Sequence, residues 1–496
     1  MNKAAQCVEA ANKQMNQAQV FQQRRTGVLL HITSLPSANL GEDAYRFVDF
    51  LQKSGVSVWQ MLPLGPTHSD GSPYQCLSAH AGNATLICME TVQNASWAND
   101  ETLKGERFLI MLVHAYRQFM SNATSFEKSA FSDFCQKNAY WLEDYVLYSE
   151  IRHLQHTTAW FHWPEELRDR HPKAIAKIRE EREESLDIRR FSQFLFFQQW
   201  HALKDYANER GVLLFGDMPI FVAHDSADVW AAPELFTLDK EGQPEKVAGV
   251  PPDYFSETGQ RWGNPLYRWD KHESTDFLWW QQRMQTQLDQ FDLIRIDHFR
   301  GFEACWEIPA SCETAIDGEW VAAPGDALFS KLVDTFGELP LVAEDLGIIT
   351  DEVTALREKY AMPGMKILQF AFGDDATNPY LPHQHTPDSV SYTGTHDNDT
   401  TMGWFEALDD ATKARVYQYF GDSHEEMPWL LIRASLATAS RLAVVPMQDL
   451  LGLDSSHRMN VPGTTEGNWS WRFDWDMVSE GVAPRLKNLN TLYGRN

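Results

Sequence analysis

Cysteine is scarce in this chain: six in 496 residues, Cys7, Cys76, Cys88, Cys135, Cys305 and Cys312. No two form a C-x-x-C pair, which argues against a disulfide scaffold and fits the reduced thiols of a cytoplasmic protein. Long apolar runs are lacking too; none reaches the roughly 18 residues a membrane helix needs. The stretch Met1-Asn2-Lys3-Ala4-Ala5-Gln6-Cys7-Val8-Glu9 has no apolar signal-peptide core, so neither a membrane span nor secretion is expected. Positive charge is in deficit, with 43 Lys plus Arg against 69 Asp plus Glu and a formal net charge of −26. A phosphate backbone needs a basic counter-surface, so nucleic acid and anionic membranes are disfavoured, neither is expected as a partner, and a neutral substrate fits better.

Cofactor signatures are also missing. The chain has no G-x-x-x-x-G-K-S/T phosphate loop, no strand-anchored G-x-G-x-x-G, no H-E-x-x-H, no G-x-S-x-G elbow and no EF-hand calcium loop. His31, His224, His298, His396 and His457 are scattered without ligand spacing, so no metal and no cofactor is expected. No internal repeat or low-complexity linker divides the chain.

What is present is an ordinary globular composition, 43% hydrophobic and 23% charged, with 18 Trp and 28 Phe. Several Trp neighbour polar residues, as in Gln260-Arg261-Trp262-Gly263-Asn264 and Gly467-Asn468-Trp469-Ser470-Trp471. Flat rings with a polar edge suit the faces of sugars, although core packing explains most Trp.

The hydrophobic pattern predicts eight short strands: Thr26–Leu30, Val56–Leu62, Gly211–Asp217, Phe291–Asp297, Leu341–Glu344, Met365–Phe370, Val390–Thr393 and Leu442–Pro446. Helical spacing of Ala44, Phe47, Val48 and Leu51 between the first two makes a βαβ unit, the mark of a parallel sheet. A single α/β domain over 1–496, an eight-stranded (β/α)8 TIM barrel, is therefore predicted. A large, mostly helical insertion is expected after strand 2, at about 70–190, followed by a barrel helix over Phe191–Arg210. A second insertion is expected after strand 3, at about 218–290. It carries an irregular Gly- and Pro-rich active-site loop over 247–269, and long loops of this kind serve as lids or binding loops. The run Lys177-Ile178-Arg179-Glu180-Glu181-Arg182-Glu183-Glu184 reads as a solvated helix face.

Three of the strands deliver acids at their carboxyl ends: Asp297 after Leu293-Ile294-Arg295-Ile296, Glu344 after Leu341-Val342-Ala343, and Asp397 in Tyr392-Thr393-Gly394-Thr395-His396-Asp397-Asn398-Asp399. In a barrel that end is the active-site face, so acids from different strands can converge on one bond. Retaining glycoside chemistry needs two carboxyl groups about 5–5.5 Å apart, one a nucleophile and one an acid then base. Arg295 and Asp297 are two apart on one strand and share a face, which puts a permanent cation beside Asp297 and favours its ionised form. Glu344 follows an apolar run, a setting that keeps a carboxyl group protonated. Alone, an R-x-D pair is an ordinary ion pair; with two further strand-end acids it points to catalysis. Asp345, Asp399 and His396 read as hydrogen-bonding supports for the neighbouring acids.

These strand ends resemble the catalytic motifs of the amylomaltases, the 4-α-glucanotransferases of glycoside hydrolase family 77. The similarity runs on through Trp59-Gln60, Leu62-Pro63-Leu64-Gly65-Pro66-Thr67, Ser72-Pro73-Tyr74-Gln75, Gly216-Asp217-Met218-Pro219-Ile220-Phe221-Val222, Val250 to Trp269, and Val461-Pro462-Gly463-Thr464-Thr465. It covers nearly the whole chain. The resemblance implies a retaining transfer of α-1,4-glucan segments to glucose or another malto-oligosaccharide, with Asp297 as nucleophile, Glu344 as general acid and base, and Asp397 holding hydroxyls of the distorted sugar. It places Tyr74, Asp217, Arg295, His298 and His396 around that sugar, with Phe370 also binding substrate. It places Asp253, Phe255, Gln260 and Trp262 on the lid loop, lining donor and acceptor sites. The chain departs from the family pattern at Cys76, His80, Ala84 and Cys88, where Ser, Phe, Pro and Asp are expected. A hydrolase of the related α-amylase group, or a glucan-binding protein on a retained barrel, would share the barrel; the lid stretch favours transfer over hydrolysis, and the three intact acids favour an enzyme.

Overall fold

The structure is a computed structural model that describes residues 20–98, 107–252, 256–421 and 423–495. Twelve strands run in chain order: β1 (Arg25–Leu29), β2 (Val58–Gln60), β3 (Leu213–Pro219), β4 (Lys246–Val250), β5 (Gln260–Pro265), β6 (Leu293–Asp297), β7 (Ala304–Pro309), β8 (Glu319–Ala322), β9 (Leu341–Ala343), β10 (Gly364–Ile367), β11 (Ser389–Tyr392) and β12 (Leu442–Pro446). Eight of them form one parallel sheet in the order β10-β11-β12-β1-β2-β3-β6-β9. The two ends of that sheet meet, because Ala343 N–H donates to Pro363 O at 2.9 Å and Met365 N–H donates to the Asp345 carboxylate at 2.7 Å. Gly364 makes room there, since a Cβ on it would lie 2.2 Å from Asp345 Oδ2. The sheet is thus a closed (β/α)8 barrel.

Period-two alternation decides which side chain faces where. Val58, Phe215, Leu293, Val342, Ile367, Val390 and Val444 fill the barrel interior. Their neighbours Trp59, Leu214, Ile294, Leu341 and Val445 pack outward against the helices. The first of these helices, Glu42–Lys53, buries Ala44, Phe47, Val48 and Leu51.

Between β2 and β3 the chain builds the helices Phe108–Asn122, Ser125–Lys137, Ala139–Leu154, Pro172–Glu181 and Glu183–Glu209. The expected barrel helix Phe191–Arg210 is only the second part of this last element, which runs unbroken for 27 residues. Its charged first turns continue because they have a partner: Arg182 at 2.8 Å, Ser185 at 2.7 Å and Arg189 at 2.8 Å all donate to the buried carboxylate of Glu150.

The region after β3 differs from the irregular loop expected. β4 and β5 are an antiparallel hairpin, and β7 and β8 extend it into a separate four-stranded sheet ordered β5-β4-β7-β8. Small residues permit this pairing where composition suggested only a loop: a Cβ on Gly249 would sit 2.2 Å from Gln260 O. The stretch expected to form an irregular loop thus contributes two strands to a sheet fed by two barrel loops, those after β3 and after β6. The helix Leu278–Gln290 lies between β5 and β6, within the span assigned to the insertion; its buried Trp280, Met284 and Leu288 join the same core as the outward side of the barrel strands, so it belongs to the barrel layer.

Candidate active site

Asp297 ends β6 and Asp217 lies in the adjacent β3, two residues before its end. The register pairs Asp217 with Arg295 and Pro219 with Asp297, so one guanidinium serves both acids. Arg295 Nη1 lies 2.8 and 2.7 Å from the two Asp217 oxygens and 2.9 Å from Asp297 Oδ1. Tyr74 Oη donates to Asp217 Oδ2 at 2.7 Å. Arg295 is held well above its ordinary pKa by Asp217 and Asp297, against the cost of burial. Asp217 has no exposed side-chain surface, whereas Asp297 keeps 29% of its own. Asp297 is the more exposed of the pair.

Glu344 follows β9 directly, and the end of β6 supplies its support. His298 adopts a left-handed conformation, φ 53°, which non-glycine residues rarely do. That turn directs its N–H onto Glu344 Oε2 at 2.7 Å, while Leu346 N–H donates to Oε1 at 3.1 Å. Burial foremost, with the Asp297 charge adding to it against Arg295 and these two donors, pushes the Glu344 carboxyl up to about 7. The group is therefore part protonated at neutral pH. The His298 ring, brought down to about 4 by burial, is neutral; Trp262 of β5 meets it edge-on, centroids 4.8 Å apart.

Asp397 sits in the loop after β11 with 46% of its side chain exposed. His396 Nε2 lies 3.1 Å from its Oδ2, and Asn460 Nδ2 donates to its Oδ1 at 2.6 Å. The surrounding protein mass would raise its pKa; His396 and Asn460 overcome this and bring it to about 2. Asp397 in turn lifts His396 above the ordinary imidazole value against the cost of burial. The His396 ring stacks on Tyr74 at 5.2 Å with 15° between planes, which links the β11 loop to the Asp217–Arg295 pair.

The three acids thus share one face with Tyr74, Asp217, Arg295, His298 and His396. Gln260 and Trp262 lie on β5, where Gln260 Oε1 accepts from Trp262 Nε1 at 3.1 Å. Phe370 was expected in a strand but ends a 3-10 turn, Leu368–Phe370, after β10; its ring meets Tyr380 edge-on at 5.5 Å. Asp253 and Phe255 lie outside the described residues. Sequence reasoning missed Asn460 and Arg458 as site residues, and it read Trp469 only as a polar-flanked ring. Trp469 lies 5.9 Å from Tyr74 and 6.1 Å from His396 by ring centroid. These residues fall outside the strands that carry the acids, so strand-end logic could not reach them. Of the four departures from the family pattern, His80 is buried, with its Nδ1 2.8 Å from Thr286 Oγ1.

A family model described as 4-alpha-glucanotransferase matches residues 30–477. The 4-alpha-glucanotransferase of Thermus thermophilus is 48% identical over 489 residues, spanning 94% of this chain and 98% of that protein. That of Synechocystis sp. is 43% identical, spanning 96% and 99%. Among solved structures, the amylomaltase from Streptococcus agalactiae in complex with acarbose superposes with a TM-score of 0.90 at 38% identity, over 96% of this chain and all (100%) of that one.

Proposed function

The chain belongs to the 4-alpha-glucanotransferases of glycoside hydrolase family 77, and from that premise we propose how its own residues move a glucan segment from donor to acceptor. Asp297 attacks the anomeric carbon of an α-1,4-linked sugar and the glycosidic C–O bond breaks. Glu344 gives its proton to the departing oxygen. The glycosyl group is then an ester of Asp297. A 4-hydroxyl of glucose or of another malto-oligosaccharide enters, Glu344 takes its proton, and the new glycosidic bond forms as the Asp297 carboxylate leaves. Asp397 accepts hydrogen bonds from hydroxyls of the distorted sugar, and Tyr74 and His396 flank the same ring.

The observation that carries this reading is the division of labour between the acids. Asp297 lies 2.9 Å from Arg295 with part of its side chain open to a substrate, whereas Glu344 sits at about 7, where it can give a proton and take it back. Transfer further requires a sugar hydroxyl to reach the ester before water does. Trp262 of the β4–β5 hairpin stands against His298, an apolar surface beside Glu344 that would favour an acceptor sugar over water. Gln260 and Phe370 would line the same cleft. A reducing compartment such as the cytoplasm suits the five free cysteines among the described residues, and among those residues no helix is long and apolar enough to cross a membrane.

Product analysis on maltotriose tests the activity. A ladder of glucose and maltodextrins longer than the substrate is the expected result; only shorter sugars would mean hydrolysis and overturn the reading.

A further inference from the structure

The segment after β12 reaches across to the β11 loop and grips it at several points, two of them on Asp397 itself. Asn460 Nδ2 donates to Asp397 Oδ1 at 2.6 Å. Arg458 Nη2 donates to the Asp397 backbone oxygen at 2.9 Å, and Arg458 Nη1 lies 3.8 Å from Asp399 Oδ2. Ser455 Oγ donates to that same Asp399 oxygen at 2.8 Å. Arg458 Nε also donates to Asn460 O at 3.2 Å, which ties the two gripping residues to each other.

We propose that Asn460 is a positioning residue for Asp397: with Arg458 holding the backbone below, its amide fixes one carboxylate oxygen of Asp397 so that the carboxylate meets the sugar hydroxyls in a single orientation. The inference rests on the reading of Asp397 as the acid that binds the distorted sugar. An exposed carboxylate on a loop has two free torsions, and among the described residues His396 on its own loop is the other side chain that pairs with it. A second donor from a different strand end removes that freedom before substrate arrives, which is where preorganisation gains rate. The remaining charged or titratable groups facing Asp397 are His396 on the same loop, Arg295 from β6 and Tyr74 from the loop after β2, with His31 beyond His396. Asn460 is itself uncharged and donates directly to the Asp397 carboxylate, so it can be changed without removing a charge.

The test compares Asn460→Ala, Asn460→Asp and Asp397→Asn in maltotriose disproportionation, with kcat and KM measured from about pH 5 to about pH 8. Losing a hydrogen bond to a charged group predicts that Asn460→Ala lowers kcat about 10- to 100-fold while KM moves less than about threefold. Asn460→Asp gives the distinctive result. Two carboxylates so close share a proton at acid pH, and the protonated partner then donates as the amide did; at higher pH both ionise and repel. Its activity relative to wild type should therefore rise at least about fivefold as pH falls across this range, while the Asn460→Ala ratio stays flat. A flat ratio for both, or a loss confined to KM, would overturn the positioning role. If Asp397→Asn retains near-wild-type kcat, the reading of Asp397 itself fails, an outcome distinct from the first.

Discussion

Glu344 offers the sharpest pH test, because its value of about 7 comes from burial and the Asp297 charge acting against Arg295 and two backbone donors. In the proposed mechanism it must carry a proton in the first chemical step. The fraction of enzyme able to act falls from about nine-tenths at about pH 6 to about one-tenth at about pH 8 for a group titrating near 7, so kcat/KM for maltotriose should drop about tenfold across that interval. This profile reports the free enzyme, which is the state in which these contacts are seen. A donor whose leaving group needs no proton separates this acid from every other titrating residue. With α-maltosyl fluoride the same interval should show a decline of less than about twofold, since fluoride departs without protonation. Glu344→Gln should lose glycosyl transfer from maltotriose by at least about a thousandfold yet still be glycosylated by the fluoride. An alkaline limb of equal steepness for both donors would refute the assignment, because the titrating group would then not be protonating the leaving oxygen.

Other consequences are open to measurement. Glu344 lies above its unfolded value of about 4.3, so the stability it contributes is fullest below that value and is lost as pH rises towards about 7. Glu344→Gln should accordingly be more heat-stable than wild type, by a margin that grows between about pH 4.5 and about pH 7.5 in scanning calorimetry; a constant margin would contradict the buried-acid account. Tyr74→Phe removes the 2.7 Å bond to Asp217 and should cost about 10-fold or more in kcat with the fold intact by circular dichroism. Trimming the hairpin tip between Val250 and Gln260 should raise the ratio of hydrolysis to transfer on maltotriose; an unchanged ratio would remove the lid's role in excluding water.

The barrel could be read from the sequence because its strands are buried on both faces and appear as short continuous apolar runs, such as Leu341-Val342-Ala343 and Leu442-Ala443-Val444-Val445. The Arg295–Asp297 spacing likewise fixes a shared face by simple alternation, and one guanidinium does reach both Asp297 and Asp217. What escaped the sequence depends on partners far along the chain. β7 and β8 carry half-exposed residues such as Trp306, Glu307 and Trp320, with no run to mark them until β4 pairs alongside. The helix Glu183–Glu209 extends through a charged run because Glu150, more than thirty residues away, lies against it. The left-handed turn at His298 and the grip of Asn460 on Asp397 are set by loop geometry, which strand and helix periodicities do not encode.

The central claim is that the glycosyl group rests on Asp297 between donor and acceptor. Incubating Glu344→Gln with α-maltosyl fluoride in the absence of acceptor, then digesting and identifying the modified peptide by mass spectrometry, tests this directly. The prediction is a maltosyl ester on the peptide that contains Asp297, absent from the Asp297→Asn, Glu344→Gln double variant. An adduct on any other carboxylate, or the same adduct persisting in the double variant, would contradict it.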